Sequence, residues 1–264
     1  MGAQSTALYK VNSFVAEGCR GNPAGVCLLA HEPGDDFRRK IAIRVGASET
    51  AFVLKNGRAF DLRWFTSGGI EVDLCGHATL AAAFILWEKG LIKRDKNIKF
   101  NTKSGVLVAR KEGALVVLDF PVETIKPVDG KLDFRKMLGI SPVFTGKTNF
   151  DYFLTVDSDT IVKNIKPDFQ TLKGIPTRGF IVTARSSNPE YDFVSRFFAP
   201  AIGIDEDPVT GSAHCALGPY WSDILHKKNL VGYQASKEGG IVRVEVLKDR
   251  VLLKGEAVFV GEVD

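Results

Sequence analysis

Three stretches of the chain carry apolar residues at helical spacing. Phe37, Ile41 and Val45 recur every four residues and predict a helix from about Asp35, with Arg38, Arg39 and Arg44 turned to solvent and Gly46 stopping it. Leu80, Phe84, Trp87 and Leu91 predict a longer helix starting near Gly76, its apolar stripe suited to a buried position. Leu217, Trp221 and Ile224 mark another late in the chain. Between them lie short runs rich in β-formers and bounded by Gly, Asn and Pro. These predict strands over residues 7–14, 24–29, 50–54, 59–65, 99–101, 106–110 and 115–120, then 153–156, 180–184 and 193–199. Val242, Val244 and Val246 alternate with Arg243 and Glu245 before a turn at Lys248-Asp249-Arg250, so a hairpin with 251–253 is expected to end the pattern.

The stretch 121–130, interrupted by Pro121, Pro127 and Gly130, is the expected domain boundary. It divides the chain into halves 1–122 and 123–264, with the last strand free to return to the first. The halves echo each other. Arg63-Trp64-Phe65-Thr66, an acidic Glu71-Val72-Asp73 and Cys75-Gly76-His77-Ala78-Thr79 lead into the first long helix. Arg196-Phe197-Phe198-Ala199, an acidic Asp205-Glu206-Asp207 and Thr210-Gly211-Ser212-Ala213-His214 lead into the second. The two glycines stand 135 residues apart, about half the chain, which suggests homologous half-domains. A helix start leaves backbone N–H groups unpaired and partly positive, and Gly there lets a ligand approach. Either these glycines begin two tightly packed helices, or the two starts face each other across a cleft and grip an anionic substrate.

With 45% hydrophobic and 25% charged residues among 264, the composition is that of a globular protein with a substantial core. The net charge of +4 is too small to imply nucleic acid, and Arg38-Arg39-Lys40 and Lys93-Arg94 read as solvated faces. Cys19, Cys27, Cys75 and Cys215 form no C-x-x-C pair, as expected of reduced thiols in a cytoplasmic protein. There is no long apolar run to cross a membrane, and residues 1–10 lack the character of a signal peptide. Met1-Gly2 with Thr6 matches the short myristoylation pattern, which many unmodified chains also match.

Five strings resemble the phenazine-biosynthesis PhzF-like family in order and spread: Gly21-Asn22-Pro23-Ala24-Gly25, Ser48-Glu49-Thr50-Ala51-Phe52, Arg63-Trp64-Phe65-Thr66, the run from Glu71 to Leu80, and the run from Asp205 to His214. Ser67-Gly68 departs from the family, which commonly has Pro after the Phe-Thr pair. The resemblance implies an α+β, diaminopimelate-epimerase-like fold: two similar domains, each a curled, mostly antiparallel or mixed sheet around a central helix, with an isomerase-type site between them. It further implies a small anionic metabolite as partner and a homodimer, and it assigns proton transfer to Glu49, with His77, Asp207 and Ser212 lining the pocket.

Each of these residues has a plainer reading. Glu49, before a strand, is locally an ordinary exposed acid; as a catalyst it would take and return one proton if burial raised its pKa. His77 follows a helix start that favours neutral imidazole, and otherwise only packs there. Asp207, before Pro208, forms a turn or anchors a substrate amino or hydroxyl group. Ser212 caps a helix or, with Gly76 and Gly211, presents a helix start to a carboxylate. His214 is read as structural.

Relatives of this fold that racemise amino acids use two Cys, one before the Gly of each helix start. Cys75 precedes Gly76, but Thr210 precedes Gly211, and a hydroxyl cannot replace a thiol base at neutral pH. Cys75 is therefore read as a small buried residue. Gly146-Lys147-Thr148 lacks the earlier Gly of a phosphate loop, no G-x-G-x-x-G occurs, and His31, His77, His214 and His226 form no metal cluster in sequence. The sequence thus points to an isomerase needing no cofactor or metal. Its rivals are an epimerase or racemase, and a ligand-binding protein of the same fold without turnover.

Overall fold

The computed structural model describes residues 6–129 and 132–263; the Met1-Gly2 pattern and Gly130 lie outside the described residues. The chain divides into two compact units, Met1–Phe120 with Leu253–Asp264, and Pro121–Leu252.

Unit 1 holds strands β1 (Ala7–Val15), β2 (Asn22–Leu29), β3 (Glu49–Asn56), β4 (Ala59–Thr66), β5 (Glu71–Val72), β6 (Ile98–Thr102), β7 (Gly105–Glu112) and β8 (Leu115–Pro121), and helices α1 (Asp35–Val45) and α2 (Gly76–Glu88). The strands run in the order β1-β2-β3-β4-β6-β7-β8, with β5 paired to β4. The β2–β3 and β4–β6 pairs are parallel and the others antiparallel. Parallel neighbours cannot be joined by a tight turn, and α1 and α2 lie in the two crossovers. Helix α2 packs on β1, β2 and β3. All its residues but Phe84 and Glu88 are buried, the property of a central core helix.

Unit 2 holds β9 (Lys126–Pro127), α3 (Phe134–Leu138), β10 (Phe144–Lys147), β11 (Asp151–Thr155), α4 (Asp159–Lys163), α5 (Phe169–Lys173), β12 (Gly179–Arg185), β13 (Phe193–Phe198), α6 (Gly211–Leu225), β14 (Asn229–Gln234) and β15 (Gly240–Val246). Its strand order is β15-β14-β13-β12-β11-β10-β9, and α6 packs on β14 and β15. From β10 to β15 the pairings read antiparallel, parallel, antiparallel, parallel, antiparallel. The same series runs through β1, β2, β3, β4, β6 and β7 of unit 1, so the echo in the sequence is an echo in topology. The last strand, β16 (Arg250–Glu262), lies antiparallel to β1 from Glu256 onward, with Val15 opposite Glu256 and Tyr9 opposite Glu262.

Several sequence expectations need correction. Arg38 is not solvated: it is 2% exposed, donating to the Pro33 carbonyl and to Glu32 and Asp35, while Phe37 is 37% exposed. The chain before α1 folds over the helix and supplies acceptors that periodicity cannot register. Helix α2 is apolar all round rather than striped, and Leu91 lies beyond its end, exposed. Ile224 is also exposed, so the buried face of α6 runs instead through Ala213, Leu217 and Trp221. Gly46 does end α1, in the left-handed conformation expected of a terminating glycine.

Candidate active site

In unit 1 the site is assembled by register. Parallel pairing sets Ala24 of β2 opposite Glu49 of β3, which brings Asn22 and Ser48 to the same end of the strands. Helix α2 begins there with Cys75 as its extended N-cap residue, no side chain capping it. The Ser13 hydroxyl of β1 donates to the His77 carbonyl at 2.8 Å and fixes the first turn. Thr79 donates to the Cys75 carbonyl at 2.6 Å.

His77 is the centre of this group. Its Nε2 lies 3.2 Å from Glu49 Oε2 and 3.0 Å from Ser48 Oγ. Its Nδ1 lies 3.2 Å from Asn22 Nδ2 and 3.6 Å from Cys75 Sγ. Ser48 donates to Asn22 Oδ1 at 2.8 Å, which orients the amide. Glu49 Oε2 is close to the ring but not aligned with a donor, and it is buried without a hydrogen bond. Glu49 is thus a buried acid, not an ordinary exposed one: its residue is 7% exposed.

Burial opposes charge on His77, but the acidic groups at its two nitrogens, Cys75 and then Glu49, hold its pKa well above the usual value. Burial pushes the Cys75 thiol up. Glu49, Cys75 and His77 offer three metal-ligating atoms within 4.8 Å of one another.

Unit 2 carries the second helix start. The Thr210 hydroxyl donates to Asp207 Oδ2 at 2.6 Å, and Thr210 N donates to Gln234 Oε1 at 2.8 Å. Gln234 Nε2 donates in turn to the Asp207 carbonyl at 2.7 Å. Asp207 is buried, and its backbone N–H donates to Phe197 of β13 at 3.0 Å, so it is held far more firmly than a surface turn requires. Ser212 is half-buried in the first turn and is not the cap, which is Thr210. His214 is fully buried, its Nδ1 2.8 Å from the Thr210 carbonyl and its Nε2 without a partner. Burial lowers its pKa to about 4. Cys215 faces its own helix, 4.0 Å from the Gly211 carbonyl, and burial pushes its thiol up to about 12.

Glu49 and His77 are therefore brought together in unit 1, and Asp207, Gly211 and Ser212 stand at one helix start in unit 2. Sequence reasoning did not single out Ser13, Asn22, Ser48, Thr210 or Gln234 as site groups. For Asn22 and Ser48 the signal was present, since both fall inside the motif strings. For Gln234 there was none, because its contacts depend on the pairing of β14 beside β13.

The family described as "Phenazine biosynthesis-like protein" matches residues 11–263. The chain belongs to that family. An uncharacterized isomerase of Halalkalibacterium halodurans is 46% identical over 264 residues, covering 97% of each chain. Among solved structures, a phenazine biosynthesis PhzF-family protein of Enterococcus faecalis superposes with a TM-score of 0.90 at 38% identity, covering 99% of this chain and 100% of that one. A hydroxyproline epimerase of Agrobacterium vitis, solved with trans-4-hydroxy-L-proline, superposes with a TM-score of 0.69 at 12% identity over 98% of this chain and 91% of its own, and so shares the fold alone. The fold is accordingly the α+β, diaminopimelate-epimerase-like one, and the general class is isomerase. No helix among the described residues is long and apolar enough to cross a membrane.

Proposed function

We propose that this PhzF-like protein is an isomerase that relocates a proton on a small carboxylate-bearing metabolite, with Glu49 as the carrier. The observation that supports this most is Glu49 Oε2, buried, 3.2 Å from His77 Nε2 and accepting no hydrogen bond. A carboxylate oxygen with unused acceptor capacity is suited to receive a proton from carbon and return it to another carbon of the same molecule. His77 lies beside the carboxylate, and Ser48 and Asn22 hold His77. The helix start at Gly76 is assigned to an anionic group of the substrate, whose charge suits unpaired backbone N–H groups, and the helix start at Gly211 and Ser212 in unit 2 offers donors of the same kind. Asp207 is assigned to an amino or hydroxyl group.

A single carrier takes and returns the proton on one face of the substrate. Inversion at a carbon needs a second group on the opposite face. Where the echo of Cys75 would stand there is Thr210, whose hydroxyl is already donated to Asp207. The two-thiol racemase reading is disfavoured on that ground.

The proposal is tested by incubating the protein in heavy water with cyclic and acyclic amino and hydroxy acids and reading mass and isomer composition. Deuterium uptake with formation of a positional isomer supports it. Exchange accompanied only by inversion at one carbon would favour the epimerase, and binding without exchange across the panel would favour a ligand-binding protein.

A further inference from the structure

The echo between the units extends to single residues. In unit 1, Phe65 stands opposite Thr50, and Ala24 opposite Glu49. In unit 2, Phe198, which echoes Phe65, stands opposite Phe180, and Asp151 stands opposite Gly179. Gly179 therefore holds the place of Glu49, and Arg178 that of Ser48. No side chain fits at Gly179: a Cβ there would lie 2.4 Å from the Phe197 ring and 2.9 Å from the Phe198 carbonyl oxygen. At the strand position where unit 1 carries its acid, unit 2 has no side chain, and the residue before it brings a cation.

Arg178 is held on three sides. Its Nε donates to Asp151 Oδ1 at 2.8 Å, and its Nη2 donates to Asp151 Oδ2. Its guanidinium carbon lies 5.0 Å from the centre of the Phe150 ring and 5.6 Å from that of Phe197, near enough for both rings to attract its charge. Phe197 also ties the group to the candidate site, because its carbonyl accepts the backbone N–H of Asp207 at 3.0 Å. Burial opposes the charge, but Asp151 and then Asp207 outweigh it and hold the pKa above the usual value. The fourth side is open. Among the described residues no acceptor bonds Nη1, and it is not one of the buried polar atoms without a partner. The Arg178 side chain, 24% exposed, thus presents that nitrogen to solvent, whereas Asp151 is 2% exposed. Clamping β11 to β12 uses Nε and Nη2 and does not account for the open edge.

A planar guanidinium fixed in this way offers a carboxylate a charged hydrogen-bond donor that loses little freedom on binding. We propose that Arg178 is a substrate-binding residue, which takes a carboxylate of the metabolite through Nη1 and so selects acids over their neutral amides. Asp151 and the two rings position it. This rests on the reading that the site takes a carboxylate-bearing metabolite; it does not rest on proton transfer by Glu49.

The test measures equilibrium binding to the full chain, at constant ionic strength, of cyclic and acyclic amino and hydroxy acids beside their carboxamides. The parent should bind at least one acid saturably and its amide at least about tenfold more weakly, as the loss of a charge-assisted hydrogen bond requires. Arg178→Gln alone would leave Asp151 buried without its cation, so the test uses Arg178→Gln together with Asp151→Asn, which pairs two amides. Circular dichroism confirms the fold. The double variant should lose at least about tenfold in affinity for the acid and little for the amide. Asp151→Asn alone, which keeps the guanidinium, should keep the preference for the acid. Arg178→Lys keeps the charge against Asp151 but not the open edge; it too should weaken the acid more than the amide, and it carries the test if the double variant does not fold. No acid bound, equal losses for acid and amide, as a clamp alone would give, or an acid preference that survives the loss of Arg178 would each overturn the proposal. Binding governed by Arg178 without deuterium exchange would sink the isomerase reading and leave this one standing. Exchange on a metabolite whose affinity ignores Arg178 would do the reverse.

Discussion

Thr210 donates its hydroxyl to Asp207 Oδ2 at 2.6 Å, and Gln234 bonds to both residues. The position that echoes Cys75 is thus occupied by a group committed to holding an acid in place. Thr210→Val removes the donor to Asp207 Oδ2 and an acceptor of Gln234 Nε2 and should lower stability by about 1–3 kcal/mol, whereas Thr210→Ser should keep most of the stability. Chemical denaturation of the two variants beside the parent checks this. A Thr210→Val protein as stable as the parent, beside a destabilised Thr210→Ser, would mean that the methyl group, not the hydroxyl, matters.

His214 makes stability depend on acid. Its folded pKa is about 4 against an ordinary 6.5, so between those values the unfolded chain binds a proton that the folded chain refuses. The contribution is complete above pH 6.5 and is lost as pH falls toward 4, by up to roughly 3 kcal/mol for this group. His214→Gln should flatten that part of the profile, measured as denaturation midpoints at about pH 7 and about pH 4.5.

Gly255 lies against the ring of Phe14, a fully buried residue with a left-handed backbone at φ 61°, beside an irregularity in the β1–β16 register. A methyl group at 255 would overlap that ring. Gly255→Ala should cost about 1–3 kcal/mol by overpacking, read from thermal or denaturant unfolding.

Arg196 forms a two-pronged pair with Glu206, both contacts at 2.7 Å, and Arg63 forms the same pair with Glu71 at 2.7 and 2.8 Å. Arg196 also donates to the Ile165 carbonyl at 2.9 Å. A lysine keeps the charge but cannot reproduce this fork. Arg196→Lys should therefore destabilise unit 2 by about 1–2 kcal/mol, while Arg39→Lys, in an exposed pair, should change little. Denaturation of the two variants under identical conditions makes the comparison.

The sequence carried these elements unevenly, for physical reasons. Strands bounded by Gly-containing turns, such as β3 and β4, were legible because their limits are local. The five-residue helices α3, α4 and α5 were not, because so short a segment shows no period. The second half of β16 was missed, since what makes it a strand is β1, distant in sequence. Glu49 and His77 stood out through their motif strings. Their 3.2 Å approach, and the place of Cys75 beside the same ring, depend on the β2–β3 register and on where α2 begins.

The most direct test of the account is the rate of substrate-carbon deuterium exchange in heavy water for the parent and for Glu49→Gln, on any metabolite that the parent isomerises. If Glu49 carries the proton, the variant should fold normally, still bind the metabolite, and lose exchange and isomerisation together by about 10²–10⁴-fold. Exchange that persists at the parent rate in folded Glu49→Gln protein would contradict it and place the proton on another group.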